Sequence, residues 1–278
     1  MTKTRELQLR RKPRVTARSA TRVNTNPKEQ KSKYKELVIA ATSDIHGFLD
    51  GLEENVKKSN PDILVIAGDV NPCRIDINSD DWFCKKFFPF IESLGIPVVL
   101  TPGNHDFWLN ELLSKPIDMK KSEIPSNLHI LCDSEETICG VKFYGSPWCP
   151  WINGKWCWEA SDETLKYVFS KIPYDVDVLV THSPPLIKHG FVDISLEKPK
   201  PYWRHFGSKE LTAEILKKRP GISICGHIHS GQHGGVSIKD EYGSEVCKCY
   251  NVSRVDEIYS VKFPLALIKY FKKSERTA

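Results

Sequence analysis

Short apolar runs alternate with amphipathic stretches along most of the chain. Five runs are predominantly apolar, as expected for strands buried on both faces, and they span 37–41, 62–67, 96–100, 176–180 and 222–225. Helical periodicity separates several of these runs, over 49–59, over 80–94, over 161–171 and in a segment that follows Ser208. A strand followed by a helix and then another strand predicts an α/β fold with right-handed crossovers.

Capping residues and further short strands extend this prediction. Ser161 and Ser208 stand where an N-cap is expected, and the helix after Ser208 carries Leu211, Ile215 and Leu216 on one side. The 80–94 stretch has an apolar stripe formed by Trp82, Phe83, Phe87 and Phe90. Additional strands are predicted at 138–144, with a turn at Cys139-Gly140, and near 235–239, 245–251 and 264–270.

A tryptophan-rich segment interrupts the regular pattern between residues 146 and 158. It holds four of the seven tryptophans, namely Trp148, Trp151, Trp156 and Trp158. This composition indicates a structured loop and not a linker. Its rings could stack on a nucleobase, or they could pack against one another over the sheet, which is the interpretation we favour.

Charge divides the chain at one place. Residues 1–33 contain eleven Lys or Arg and two Glu, a net charge of +9, whereas the remainder has 29 basic and 33 acidic residues, a net charge of −4. The first segment also lacks a sustained apolar period, so we predict a disordered basic tail at 1–33 and one domain at 34–278. The tail could bind nucleic acid, an anionic surface or a localisation receptor, could act as a targeting peptide, or could be a solvated leader.

Cysteine usage and hydropathy bear on the compartment. The nine cysteines are an odd number and contain no CxxC pair, which favours free thiols in a reducing interior over a disulfide framework. No apolar run approaches the 18 or more residues of a membrane helix, so no transmembrane segment is predicted. The N-terminus lacks the apolar region of a secretory signal, so we expect a cytoplasmic protein.

Polar side chains follow five of the predicted strands directly. They are Asp44, His46, Asp69, Asn104, His182, His227 and His229. Ligand sites of open α/β sheets lie outside the carboxyl ends of the strands, so these seven donors should converge.

Carboxylate, amide and imidazole without thiolate suit Mn, Fe or Zn, and seven donors suit two ions. Asp69 is the expected bridge because its carboxylate has two oxygens. Two such ions stabilise the attacking and leaving oxygens of a phosphoryl displacement.

Five short motifs contain these residues and follow one another in order. They are Asp44-Ile45-His46, Gly68-Asp69, Gly103-Asn104-His105-Asp106, His182 and Gly226-His227-Ile228-His229. The set, which covers roughly residues 36 to 255, resembles the calcineurin-like metallophosphoesterase superfamily. Each motif is weak alone, but five in order are specific. The resemblance implies two β-sheets sandwiched between helices and a metal-dependent phosphoesterase.

The resemblance also implies a role for each residue. Asp44, His46, Asp69 and His229 would bind the first metal, and Asp69, Asn104, His182 and His227 the second. His105, followed by Asp106, would be catalytic, because His105 lies over the phosphate and stabilises charge or protonates the leaving oxygen. Protein serine/threonine phosphatases carry an Asp where this chain has Pro72, which argues against that activity; Arg74 is one position out of register for a phosphate contact.

Other interpretations stay open at this point. A single Asp after a strand is more often a helix cap or turn former, and a single His is more often a hydrogen-bonded core residue. His129, His189, His205 and His233 belong to no motif, and His233 is expected to be exposed more than to line the pocket. We predict hydrolysis of a small, nucleotide-like phosphodiester. The alternatives are a nuclease or nucleic-acid-associated phosphoesterase that uses the basic tail, and a non-catalytic metal-binding scaffold.

Overall fold

The structure is a computed structural model that describes residues 34–73, 78–114, 124–188, 190–196, 204–256, 258–263 and 265–273. The predicted basic tail at 1–33 lies outside the described residues, as do Arg74 and His189. What was predicted for them stays a prediction.

The described residues contain thirteen strands and five helices. The strands are β1 (Tyr34–Thr42), β2 (Ile63–Ile66), β3 (Val98–Leu100), β4 (Leu128–Ile130), β5 (Ser134–Ile138), β6 (Val141–Ser146), β7 (Cys149–Pro150), β8 (Glu159–Ala160), β9 (Val178–Thr181), β10 (Ile222–Cys225), β11 (Gly234–Lys239), β12 (Glu245–Asn251) and β13 (Ala266–Lys273). The helices are α1 (Leu52–Ser59), α2 (Ser79–Trp82, continued by the π-helical Phe83–Phe87 and by Phe88–Leu94), α3 (Phe107–Ser114), α4 (Asp162–Ser170) and α5 (Lys209–Lys218).

Two large sheets contain most of the strands. The first has the order β13-β1-β2-β3-β4, in which β1, β2, β3 and β4 are parallel neighbours. The second has the order β11-β12-β10-β9-β6-β5, with a parallel centre and an antiparallel partner at each edge. Strands β7 and β8 form a separate pair within the tryptophan-rich segment.

Alternating side chains on the central strands build three layers of core. On β2, Leu64 and Ile66 pack toward α1 and α2, whereas Ile63 and Val65 pack toward the second sheet. On the far side of the second sheet, Leu179 packs against residues of α4 and α5. Because both faces of β2 are buried, its sequence is apolar at every position. The layers follow the order helix, sheet, sheet, helix, which confirms the predicted fold class.

The local signals were accurate where a cap defined the boundary. The Ser161 side chain accepts a hydrogen bond from the Thr164 N–H (3.4 Å), and Ser208 accepts from the Leu211 N–H (3.2 Å), as predicted for two N-caps. The helix predicted from residue 49 begins only at Leu52, since Gly51 before it has a left-handed backbone (φ 68°).

Other boundaries were wrong or missed. The strand predicted over 138–144 is a hairpin, β5 and β6, whose turn is at the expected Cys139-Gly140. Helix α3 and strand β4 were not predicted, because both are short and neither has a clear apolar period. Helix α2 contains a π-helical turn that its apolar stripe did not indicate.

The nine cysteines all lie within the described residues and are free thiols. Cys247 and Cys249 are both buried on β12 and pack in the core between the second sheet and its helices. In the described part of the chain, no helix combines the length and the apolar composition needed to cross a membrane.

Candidate metal centre

The carboxyl ends of five strands, three from one sheet and two from the other, meet at one edge of the sandwich. Backbone hydrogen bonds join their loops, from the Asp44 N–H to the Gly68 carbonyl (2.9 Å) and from the Gly226 N–H to the His182 carbonyl (2.9 Å). The seven donors expected at these ends are therefore close neighbours; they are Asp44, His46, Asp69, Asn104, His182, His227 and His229.

One group of donors forms where the loops after β1 and β10 face each other. The ligand atoms of Asp44, His46 and His229 lie within 4.8 Å of one another. His229 Nε2 is 3.4 Å from Asp44 Oδ1 and 3.4 Å from His46 Nε2. All three side chains are thus directed at a common point.

A second group forms beside it around the Asp69 carboxylate. Asp69 Oδ2 is 3.3 Å from His182 Nε2 and 3.8 Å from His46 Nε2, so this oxygen lies between the two groups. His182 Nε2 is also 2.9 Å from Asn104 Oδ1. The His227 ring stands edge-on to the His182 ring, with the centroids 4.9 Å apart.

His182 and His229 each use the Nδ1 atom in a hydrogen bond to a backbone carbonyl. The lone pair of each Nε2 atom therefore points toward other acceptor atoms of the site. His182 Nδ1 donates to the Ala67 carbonyl (2.9 Å) and His229 Nδ1 donates to the Asp256 carbonyl (3.1 Å). In the neutral tautomers, each Nε2 is therefore an acceptor that faces a carboxylate, an amide oxygen or another imidazole. Donor atoms bound at about 2.1 Å to one ion lie roughly 3.0–3.4 Å apart, which matches these spacings. The donor set fits divalent cations.

The surroundings shift the pKa values of the site's histidines in opposite directions. Although burial opposes it, the Asp69 carboxylate raises the pKa of His182 to about 9, so His182 must lose a proton when it binds a cation through Nε2. Burial lowers the pKa of His46 to about 4 and that of His227 to about 3. His46 and His227 are therefore neutral at pH 7, which is the state in which imidazole binds a metal.

The Asp44 carboxylate is oriented by two hydroxyl groups that no motif contains and by one backbone N–H from the last motif. Its Oδ2 accepts hydrogen bonds from the hydroxyls of Ser43 (2.5 Å) and Ser253 (2.7 Å). The His227 N–H donates to the same carboxylate (3.1 Å to Oδ2). Ser253 is 209 positions from Asp44, so sequence reasoning had no signal for this contact. Such outer contacts fix the orientation of metal ligands.

Four of the seven donors have a left-handed backbone. The φ angles are 53° at Asp44, 47° at His46, 54° at Asp69 and 68° at His227. This region is unfavourable for residues other than glycine, and such conformations cluster at functional sites where the surrounding structure enforces them. The backbone strain therefore marks the same place as the convergence of donors.

Gly226 allows two loops of the site to approach each other. A Cβ atom there would lie 2.1 Å from Ser43 Oγ and 2.5 Å from Asp44 Oδ2. We expect Gly226→Ala to destabilise the fold by about 1–3 kcal/mol and to reduce the stabilisation that Mn²⁺ provides. Thermal unfolding with and without Mn²⁺ measures both effects.

Gly243→Ala provides the control, because Gly243 has a φ of 80° and an added methyl group there would have no neighbour within 4 Å. It should lower stability through its backbone alone and leave the Mn²⁺-induced rise in melting temperature unchanged. An equal Mn²⁺-induced rise in Gly226→Ala and in the wild type would contradict the steric argument.

The Asp106 carboxylate is buried and bound to backbone. Its oxygens accept from the N–H groups of Asp69 (2.9 Å), Val70 (2.8 Å), Asn71 (2.8 Å) and Gly103 (2.7 Å). Burial and the Asp69 charge raise the pKa of Asp106 to about 7, against the effect of these donors. Both oxygens are thus engaged with the loops that carry Asp69 and Asn104, and the catalytic role expected from sequence stays a prediction.

His105 lies at the border of the donors and a neighbouring cleft. Its backbone N–H donates to Asp69 Oδ1 (2.8 Å), and its ring stands edge-on to the His46 ring with the centroids 5.0 Å apart. Burial lowers the pKa of His105. The Trp156 ring also packs against the His105 ring, with the centroids 4.2 Å apart. The tryptophan-rich segment therefore reaches the site through Trp156, a contact that differs from the mutual packing we had favoured.

The histidines outside the motifs have other partners. His129 Nδ1 is 2.9 Å from Glu136 Oε1, and His205 Nδ1 is 3.0 Å from Asp193 Oδ2. His233 is half-buried, bonds to the Ser253 carbonyl (2.9 Å) and stacks on Phe263, so the expectation that it is exposed was wrong. His233 supports the segment that orients Asp44.

Comparison with known proteins gives relatives that are similar in sequence. The chain is 30% identical over 213 residues to the human metallophosphoesterase domain-containing protein 1, which covers 69% of this chain and 60% of the relative. It is 29% identical over 212 residues to a UPF0046 protein of Caenorhabditis elegans, which covers 72% of this chain and 66% of that protein. The chain thus spans about 60% of the length of the human relative.

Solved structures show the same fold. The crystal structure of TT1561 of Thermus thermophilus aligns with 84% of this chain and 99% of its own, with a TM-score of 0.55 and 15% identity. The calcineurin-like phosphoesterase family matches residues 37–231, which contain every donor described above. The resemblance drawn from the five motifs is confirmed, and the chain belongs to the calcineurin-like phosphoesterase family.

Proposed function

We propose that this protein hydrolyses a small phosphodiester with the help of two divalent metal ions, of which Mn, Fe and Zn suit the donors. The observation that carries the proposal is the position of Asp69 Oδ2 between two groups of donors, 3.8 Å from His46 Nε2 and 3.3 Å from His182 Nε2. A carboxylate that reaches both groups of donors can bridge two ions. The residues belong to a family of metal-dependent phosphoesterases, which supports the reaction class.

The proposed ligands divide into two sets. Asp44, His46, Asp69 and His229 would hold one ion, and Asp69, Asn104, His182 and His227 would hold the other. Bound divalent cations supply activation of water and neutralisation of charge on the phosphoryl oxygens. The Ser43 and Ser253 hydroxyls both donate to Asp44 Oδ2, so they serve to orient a ligand and neither is placed as a nucleophile.

His105 has the position of a group that acts on the phosphate. The bond from its backbone N–H to Asp69 Oδ1 fixes it against the proposed bridge, and its side chain lines the adjoining cleft. An imidazole donates one N–H even when neutral, so His105 can stabilise charge on the leaving oxygen through a hydrogen bond. Protonation of that oxygen would require the imidazolium form of His105. Asp106 holds the loops beneath.

A small diester fits the surroundings better than a phosphoprotein. Pro72 stands where protein phosphatases of the family carry an Asp, and it lines a cleft of only about 300 Å³. Pockets for small molecules begin at roughly this size. The cleft can therefore accept one small group of an ester, and this supports a small-molecule substrate.

A panel of phosphoesters tests the proposal. With Mn²⁺ present, we expect bis(4-nitrophenyl) phosphate and cyclic nucleotides to be hydrolysed with higher kcat/KM than phosphopeptides, single-stranded DNA or double-stranded DNA. The comparison is made at one pH and one ionic strength, because DNA affinity depends strongly on salt. Higher kcat/KM for phosphopeptides or DNA than for every small diester would contradict the substrate class.

A further inference from the structure

The cleft beside His105 is lined largely by rings. Phe107, Trp156 and Tyr259 contribute side chains to it, together with Pro72. Among the described lining residues, none is a lysine or an arginine. The described lining therefore presents no fixed positive charge, and its rings suit an uncharged planar group.

Trp156 is fixed in relation to the metal centre. Its ring lies 4.2 Å from the His105 ring, centroid to centroid, with 35° between the planes. The N–H of the following residue, Cys157, donates to the Asn104 carbonyl (3.0 Å). Trp156 is thus attached to the loop that carries a proposed metal ligand, and its distance from a bound phosphate is set by the fold.

The Glu159 carboxylate holds the loop that presents Trp156. Glu159 Oε1 accepts from the Trp156 N–H (3.0 Å), while Oε2 accepts from the three backbone N–H groups of residues 152–154 (3.1, 3.0 and 2.6 Å). Although desolvation opposes it, these donors lower the pKa of Glu159. The loop is organised before any ligand binds, which reduces the entropy cost of binding.

Tyr259 forms another wall of the cleft. Its ring stands edge-on to the His46 ring with the centroids 4.9 Å apart. Its backbone is left-handed (φ 60°) and its N–H donates to the Asp256 carbonyl (2.9 Å), the group that also accepts from His229 Nδ1. The turn that orients a proposed ligand therefore also places this tyrosine, and the backbone strain at Tyr259 marks a conformation enforced by the turn.

We propose that Trp156 and Tyr259 form an aromatic subsite that binds one planar, unsaturated, uncharged ring of the phosphoester. The inference rests on the proposed phosphodiesterase function, since it places the ring next to a phosphate at the metal centre. An aryl group and a nucleobase share this chemistry. Stacking of one ring on an aromatic side chain contributes about 1–3 kcal/mol, or roughly a 5- to 150-fold gain in affinity.

Binding of product-like monoesters tests the subsite without turnover. Calorimetry with the Mn²⁺-loaded protein compares phenyl phosphate with methyl phosphate, and uridine 5′-phosphate with ribose 5-phosphate. We expect the ring-bearing member of at least one pair to bind roughly 5- to 150-fold more tightly. In Trp156→Ala, the ratio of the two affinities within a pair should fall toward one, while the affinity for methyl phosphate stays unchanged. In Trp156→Phe, part of the preference for the ring-bearing ligand should remain. The pair that shows the preference identifies the ring as aryl or nucleobase.

Trp151→Ala is the matched control, because Trp151 belongs to the same loop, is 64% exposed and does not line the cleft. It should keep the wild-type preference. Circular dichroism and metal content verify that each variant is folded and loaded. Equal affinities within both pairs, in a protein that still hydrolyses diesters, would overturn the subsite alone. Failure of every phosphate to bind, together with absence of turnover, would overturn the proposed function as well.

Discussion

Replacing Asp69 with asparagine is expected to lower turnover by about 10³-fold or more and to remove metal from both positions. Asp69 Oδ2 faces His46 and His182 in the two donor groups, so the loss of its charge weakens both positions at once. Several kcal/mol of transition-state stabilisation are associated with metal ions in such sites, and each 1.36 kcal/mol corresponds to a factor of ten in rate. Elemental analysis of Mn per chain and kcat for a chromogenic diester measure the two effects.

The control for this variant is Asp162→Asn, which neutralises an exposed carboxylate that pairs with Lys209 (2.7 Å). It should leave metal content and kcat unchanged, since exposed ion pairs contribute little. Exhaustive chelation of the wild type should reproduce the loss of turnover seen with Asp69→Asn. Two metals per chain in Asp69→Asn, or activity that survives chelation, would contradict the bridging role.

Replacing His105 with alanine is expected to lower kcat by about 10²–10⁴-fold while metal content stays at the wild-type value. The His105 side chain lines the cleft, and only its backbone N–H contacts Asp69 Oδ1, a contact that alanine retains. Its proposed contribution is a hydrogen bond to the phosphate or to the leaving oxygen, made by the ring alone. Parallel measurement of kcat and Mn per chain separates this effect from loss of the site.

His182→Ala should differ from His105→Ala, because it should lose metal as well as turnover. His182 Nε2 lies 2.9 Å from Asn104 Oδ1 and 3.3 Å from Asp69 Oδ2, so its removal should lower metal content together with turnover. His129→Ala, a histidine paired with Glu136 outside the site, should change neither quantity. A metal-free His105→Ala variant or a fully loaded His182→Ala variant would reverse the roles proposed for these two residues.

Much of the fold and the donors could be predicted because their signals are local. The apolar run at β2 encodes a strand buried on both faces, and Asp69 follows its end within three residues. The carboxyl ends of parallel strands meet at one edge, so a position after a strand already predicts convergence with the others. Helix α3 gave no comparable signal, because it is short and buries mainly Leu109.

The groups that orient the donors could not be predicted in the same way. Ser253 contacts Asp44 across 209 positions of sequence, and Asp256 contacts His229 across 27 positions. Neither Ser253 nor Asp256 belongs to a motif. Trp156 was one of four tryptophans in its segment, and only the fold brings its ring against His105. Asp106 is expected to be catalytic from its place after His105, and only the fold shows that both of its oxygens accept from backbone N–H groups.

The sequence alone determined the main alternation of strands and helices, the candidate donors and the class of chemistry they suit, because each depends on residue type and on spacing within a few positions. The tertiary structure decided which oxygen lies between the donor groups, which tryptophan lines the cleft and which carboxylate supports the loops. These three features depend on how side chains from distant segments of the chain are oriented toward one another. Their orientation is fixed only when the two sheets pack and bring the carboxyl ends of their strands to one edge.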